Sequence, residues 1–470
     1  MNLKKLSTFA VVMLITGAVD SIRNLPAASL FGSSLIFFFT FSAIVFLIPT
    51  ALVSAELASG SSEESGVFHW VKSAFGEEWG FMAIWLQWIT NLVWFPTILS
   101  FIAGLVADLI DPTLAQNKIF LVSAILITFW SLTLLNLRGL RVSANFSSFC
   151  AMFGMVIPMV LIIGLAFYWL ASGHPSQVHF TASNLLPNLS NPTTWISLTA
   201  IMTAFAGMEL AAVHIKEINN PQRTFPRALL TSAAIILVTM LFGSLAIAIV
   251  LPQDQISLVN GVMQAFTSFF AAYHIAWFIP IITVMILVGS LGSIISWVIS
   301  PAKGLLQAAQ IGFLPPILQQ VNRFGVARNL LFTQALIVSL VCFAFLMMPS
   351  VSGSYWLLTA LSTQLYIMMY ILMFFAGIKS RYLSTNKHKT FRIPGGNKGM
   401  WATSLLGVFG CIITLIVGFF PPAGLDVGGF LHYEMVFCGG MFGMITPAFF
   451  FFTYRRREKA RALALDAPAL

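Results

Sequence analysis

The sequence predicts an all-α, polytopic membrane protein of about twelve transmembrane helices, on the strength of its apolar runs. Of its 470 residues, 58% are hydrophobic and 8% charged, against roughly 25% charged in a soluble domain. Apolar runs near or above the ~20 residues that cross a bilayer recur along the chain. Basic residues gather in the short loops between these runs.

The runs fall at 6–30, 34–59, 79–110, 117–137, 147–172, 195–216, 227–251, 275–303, 328–349, 353–378, 400–420 and 430–454. The third and eighth are long, which implies tilt or extension beyond the bilayer. Gln255 to Phe270 reads as a short amphipathic helix outside the membrane. Leu305 to Phe324, interrupted by Pro315 and Pro316, reads as another on the opposite side. The first run is too long for a cleaved signal and continues into charged residues, so it reads as a retained span.

Loop charge sets the orientation. One set of loops holds Lys4, Lys5, Lys72, Arg138, Arg141, Arg223, Arg227, Arg323, Arg328, the Lys379–Lys398 cluster and Arg455, Arg456, Arg457, Lys459 and Arg461. The opposite set holds Lys118 with Asp108, Asp111, Asp254, Asp426 and Glu434. The positive-inside rule places both termini in the cytoplasm, and an even number of spans agrees. The net charge of +9 is therefore an orientation signal, and nucleic acid is not expected as a partner. Cys150, Cys342, Cys411 and Cys438 lie in apolar runs without CxxC spacing and read as buried free thiols. The histidines (His69, His174, His179, His214, His274, His388 and His432) lack ligand spacing. No metal, cofactor or nucleophile–base constellation is expected, which excludes the enzyme classes that depend on them.

Asp20 and Arg23 break the pattern, because they lie inside the first apolar run. An ionised side chain at membrane depth costs several kcal/mol unless it is paired or faces water, so such residues mark functional pathways. Gly17 precedes the charges and Pro26 follows them. The sixth run carries Phe205-Ala206-Gly207-Met208 in the corresponding position. Paired interruptions of this kind point to a binding site at the membrane midplane of a secondary transporter. Glycines in membrane helices also serve close packing, and that reading stands beside the first.

Four further stretches carry a resemblance. They are Glu217-Ile-Asn-Asn-Pro221-Gln-Arg223-Thr-Phe-Pro226-Arg227-Ala228; Ala55-Glu56-Leu57-Ala58 with Gly66-Val-Phe-His-Trp70; Ser296-Trp297 with Ser300-Pro301-Ala-Lys303-Gly304; and Phe391-Arg392-Ile393-Pro394-Gly395-Gly396. In this order the chain resembles amino acid–polyamine–organocation (APC) transporters across nearly its whole length. Pro26 with Gly32-Ser-Ser-Leu35, Gly207-Met-Glu209, and Tyr366 with Tyr370 make it most similar to the bacterial glutamate/GABA antiporter branch. That resemblance implies one transporter domain over 1–470 with a LeuT-type fold. Residues 6–172 and 195–378 would form inverted five-helix repeats with helices 1 and 6 broken. Residues 400–454 would supply two peripheral helices and 455–470 a short cytoplasmic tail. It also implies a bacterial inner-membrane location. The charged pair in helix 1 departs from the branch, as does the eighth helix, which has no carboxylate in Val288-Gly-Ser-Leu-Gly292. The short stretch after Arg457 implies that gating does not rely on a long tail.

The expected activity is exchange of an amino acid, glutamate-like or another zwitterion, for a relative or its decarboxylated amine, by alternating access. A proton-coupled symporter of the same fold is the alternative, with a transport-dead sensor or channel behind it. Backbone at Thr16, Gly17, Ala18, Val19 and Asp20, and at Phe205, Ala206 and Gly207, would hold the α-amino and α-carboxylate groups. Arg23, Glu209, Tyr366 and Tyr370 would read the side chain. Asp20 and Arg23, three residues apart, share a face if that stretch stays helical, so they either neutralise each other or face substrate. Glu209 is either a proton carrier or side-chain sensor, or a structural carboxyl bonded to a neighbouring helix. Tyr366 and Tyr370, four apart, share a face that either lines a cavity or packs. Trp94, Phe205 and Trp297 could line or gate it. Glu56, Lys72, Glu217, Arg223 and Arg227 would form an ion-pair network closing the inward gate.

Overall fold

The computed structural model describes residues 7–60, 66–138, 150, 152–187, 189–190, 192–210, 212, 218–383 and 391–465. The helices are α1 (Thr8–Val19), α2 (Leu25–Ser29), α3 (Gly32–Ser59), α4 (Val67–Phe75) and α5 (Glu77–Ile110). They continue with α6 (Lys118–Leu137), α7 (Phe153–Ala171), α8 (Ser197–Phe205), α9 (Pro221–Val250) and α10 (Gly261–Ala272). The last are α11 (Ile279–Gln310), α12 (Arg328–Met347), α13 (Val351–Ser380), α14 (Gly396–Val417) and α15 (Phe430–Leu465).

The chain is an all-helical, multi-pass membrane protein. Among the described residues, 10 helices are long and apolar enough to cross a membrane, counting α1 and α2 together as Thr8–Ser29. Two further expected spans take other forms. The sixth is cut at its interruption, with an apolar stretch over Thr194–Leu210. The eighth is α11, 32 residues long. Because α11 runs on to Gln310, the separate helix expected from Leu305 is absent. Only a short turn at Pro316–Gln319 follows the two prolines. The helix expected at 255–270 is α10, shifted to Gly261–Ala272. The stretch from Gly66 to Trp70, which lies between the second and third apolar runs, leads into α4, whose Val67, Phe68, Trp70, Val71 and Ala74 are buried.

Proline chemistry shapes several spans. α3 contains a π-helical turn at Ala43–Leu47 just before Pro49, and α7 one at Met152–Val156 just before Pro158. Proline lacks the amide donor and crowds the preceding turn, and a wider turn accommodates both. The core centres on α5 and α13, which are buried over most of their length and pack on each other. α15 is mostly exposed, presenting Phe442, Phe449 and Phe450 outward. An apolar exterior is what a lipid-facing helix requires, since tails are as apolar as leucine.

Two helices stop at membrane depth. α1 ends at Val19; Asp20 (φ −70°, ψ 111°) and Ser21 (φ −136°, ψ 118°) are extended. The chain recoils through a 3₁₀ turn at Ile22–Asn24 into α2, where Pro26 occupies the first turn and its missing donor costs nothing. α8 ends at Phe205, followed by extended Ala206 (φ −76°, ψ 146°) and Gly207 at φ 109°. That left-handed conformation is open to glycine and strained for other residues.

Candidate functional site

The two interruptions meet. A Cβ placed on Gly207 would stand 3.5 Å from Val19 Cγ2. Around them lies a cavity lined by Val19, Ser21, Arg23 and Asn24 from the first break and Met202, Thr203, Ala206 and Gly207 from the second. α5 adds Thr90, Asn91 and Trp94, and α13 adds Ser362, Thr363, Tyr366 and Ile367. The lining thus combines one cation, several hydroxyls and an amide with backbone freed from helical pairing. Such a set can hold a small polar molecule by its ends.

Arg23 is the charged group of this lining. It is 3% exposed, and its Nη1 donates to Thr97 Oγ1 at 3.0 Å and to Tyr355 OH at 3.2 Å. Tyr355 OH in turn donates to Arg23 O at 3.2 Å, and the guanidinium stands 4.7 Å from the Trp94 ring centroid. Its Nε meets no partner among the described residues. Asp20 is not that partner. Asp20 Oδ2 accepts from Thr239 Oγ1 of α9 at 2.8 Å. The shared face expected for the two charges required a helix, and the extended backbone at 20–21 turns them apart.

Glu209 lies behind the cavity wall, 1% exposed. Its Oε1 accepts from Tyr366 OH at 2.5 Å and Gln87 Nε2 at 3.0 Å; its Oε2 accepts from Tyr370 OH at 2.5 Å. The Gly207 amide donates to Tyr370 OH at 2.7 Å. The tyrosines share a face, with ring centroids 5.0 Å apart, and of the two Tyr366 reaches the cavity.

The remaining expected residues divide. Val19, Ala206 and Gly207 line the cavity with Arg23 and Tyr366, whereas Phe205 is buried edge-on to Phe39, centroids 5.6 Å apart. Thr16 is buried one turn before Asp20, its hydroxyl without a partner among the described residues, and Gly17 is half-buried. Glu217 and the Ala18 and Trp297 side chains lie outside the described residues.

The expected gate network is differently wired. Glu56, fully buried, sits 2.5 Å from Arg381 Nε and accepts from Arg381 Nη2 at 2.6 Å and Ile393 N at 2.8 Å. Lys72 instead approaches Glu77 at 3.9 Å, and Arg223 and Arg227 are exposed. Glu77 also receives Arg455 at 2.5 Å and Lys459 at 3.0 Å, while Arg456 grips Glu78 with two 2.8 Å bonds.

Sequence reasoning passed over Thr90-Asn91, Thr203 and Ser362-Thr363. Adjacent polar residues inside otherwise apolar runs were the available signal. It also passed over Tyr355 and Arg381, whose partners lie hundreds of residues away and leave no local pattern.

A family model described as amino acid permease matches residues 6–442. An uncharacterized transporter of Legionella pneumophila is 40% identical over 438 residues, 93% of this chain and 94% of its own length. A glutamate/gamma-aminobutyrate antiporter of Lactococcus lactis is 28% identical over 475 residues, covering 100% of this chain and 94% of that one. A probable agmatine/putrescine antiporter of the same species is 21% identical over 422 residues, 89% and 88% of the two chains.

Proposed function

Because the chain belongs to the amino acid permease family of the APC superfamily, a family of transporters and not of enzymes, we propose that it is an obligatory amino acid exchanger. It takes a carboxylate-bearing amino acid, glutamate-like or zwitterionic, against a related amino acid or its decarboxylated amine. It works in the bacterial inner membrane with both termini cytoplasmic, as the loop charges favour. Its twelve spans form LeuT-type inverted repeats over 6–172 and 195–378, with 400–454 peripheral. The family and the matching interruptions in α1 and α8 support that arrangement.

One observation carries the reading: Arg23 lines the cavity, buried, with no carboxylate partner among the described residues. A dehydrated cation without a counter-ion costs several kcal/mol. A substrate carboxylate supplies the missing charge through charge-assisted hydrogen bonds. The same penalty hinders reorientation of an empty, occluded carrier, and that hindrance makes a carrier exchange its cargo instead of releasing it. Backbone at the actual breaks, Val19 to Ser21 and Ala206 to Gly207 rather than the expected 16–18 and 205, then holds the remaining α-group, and Tyr366, anchored by Glu209, borders the side chain. Alternating access rocks the first, second, sixth and seventh spans against the rest. The antiporter relatives support exchange over symport.

Proteoliposomes test this. Vesicles preloaded with labelled glutamate should release it when unlabelled glutamate is added outside and retain it otherwise. Arg23→Gln should leak label without external substrate. Release from the wild type without counter-substrate, or uptake into empty vesicles driven by a proton gradient alone, would remove obligatory exchange in favour of symport.

A further inference from the structure

We propose that Asp20 holds a proton in the space between α1 and α9 and that this proton is taken up and released during the transport cycle. The coupling deepens the exchanger reading and rests on it, whereas the protonation stands on hydrogen-bond geometry alone.

Among the described residues one side-chain donor reaches the Asp20 carboxyl: Thr239 Oγ1, which lies 2.8 Å from Oδ2 and also 2.8 Å from Ile235 O and 3.2 Å from Ile236 O of its own helix. A hydroxyl has one hydrogen to donate. An ionised Asp20 would therefore hold a full charge on a single hydrogen bond, whereas with Oδ2 protonated Asp20 donates to Thr239 and Thr239 donates to a carbonyl of its own turn. Asp20 Oδ1 is buried and meets no donor among the described residues. A neutral carboxyl oxygen tolerates that position far better than half of an anion does.

Among the described residues the surroundings offer no cation in compensation. Arg23 is turned to Thr97, Tyr355 and Trp94. α9, packed along α1, carries Arg223 and Arg227, both exposed, about four and a half and about three turns from Thr239. α2, α7 and α8 carry no charged residue. Glu209 behaves oppositely. Gln87, Tyr366 and Tyr370 each bring it a hydrogen, and Gly207 N–H is accepted by Tyr370, so that network closes with Glu209 ionised. The geometry therefore assigns the mobile proton to Asp20 and leaves Glu209 as a fixed anchor.

Asp20 is the first residue past the end of α1, so displacement of that end from α9 exposes it to water. The Oδ2–H bond then breaks, the proton passes to water, and the electron pair stays on the carboxylate. Uptake on the opposite face reverses these steps.

Two measurements test the proposal. In infrared difference spectra of purified protein at neutral pH, the carbonyl stretch of a protonated carboxylic acid should be present, lost in Asp20→Asn and retained in Glu209→Gln. This readout needs no substrate, so it stands even if the exchanger reading fails. In substrate-loaded proteoliposomes, an imposed proton gradient should raise wild-type exchange, and the ratio of rates with and without the gradient should lose that rise in Asp20→Asn. Absence of the band, its loss in Glu209→Gln instead, or a full gradient response in Asp20→Asn overturns the proposal.

Discussion

Tyr370 joins the sixth-span interruption to the carboxylate behind it: its hydroxyl accepts the Gly207 amide at 2.7 Å and donates to Glu209 at 2.5 Å. An amide exposed by a broken helix inside a membrane must find an acceptor, and one phenol provides it while fixing Glu209. Tyr370→Phe leaves that amide and one carboxylate oxygen without this partner, a loss of ~1–3 kcal/mol. Tyr366→Phe removes a donor to Glu209 and leaves the Gly207 bond intact, so it should destabilise less. Thermal unfolding in detergent compares the two, and equal midpoints would remove the bridging role of Tyr370.

The ring of Trp94 beneath the Arg23 guanidinium makes a second, graded prediction. A cation–π contact in a desolvated site is worth ~0.5–2 kcal/mol. Trp94→Leu should therefore weaken binding of an anionic amino acid, and Trp94→Phe should weaken it less. Arg23→Gln, which removes the charge itself, should weaken it most. Calorimetric titration of purified variants ranks them, and a Trp94→Leu loss equal to that of Arg23→Gln would mean that the ring does more than support the cation.

Glu56 and Arg381 are 325 positions apart in the chain and share a fully buried carboxylate. Both also bond Ile393, through its amide and its carbonyl, so the pair pins the strand of chain entering α14 to the end of α3. Removing one partner leaves a buried charge unpaired, at a loss of ~3–5 kcal/mol. Arg381→Ala and Glu56→Gln should each lower the melting midpoint, and the double variant Glu56→Met/Arg381→Met should recover part of the loss. A double variant no more stable than either single one would show that the pair is valued for its charge.

What was legible in the sequence follows from the range of each interaction. Spans and interruptions are local: apolar length, a glycine that can adopt φ 109°, a proline opening α2. The common face of Tyr366 and Tyr370 is local too, because α13 is unbroken there. Of the two readings of Asp20 and Arg23, mutual pairing required the stretch to stay helical, and the helix stops between them. Partners of Glu56, Arg23 and Glu209 come from distant spans, and no periodicity specifies which of several cations or hydroxyls the fold will bring near. For Glu56, grouping charges by their cytoplasmic side selected Lys72, Arg223 and Arg227 over Arg381.

A final prediction concerns a close backbone approach between α7 and α11. A Cβ on Gly289 would lie 2.2 Å from Gly154 Cα, and one on Gly154 would lie 2.1 Å from Gly289 Cα. The obstacle is backbone in both directions, so no side chain can swing aside, and small residues are what permit such contact in membranes. Gly289→Ala must separate the helices, and overpacking of this kind costs at least ~1–3 kcal/mol. Gly443→Ala on α15 is the control, since a Cβ there meets nothing within 4 Å. It replaces glycine in a helix by the better helix former and should be neutral or slightly stabilising, by up to ~1 kcal/mol. Melting midpoints of the two variants in the same detergent decide the matter. If Gly289→Ala unfolds no earlier than Gly443→Ala, α7 and α11 do not pack through these glycines.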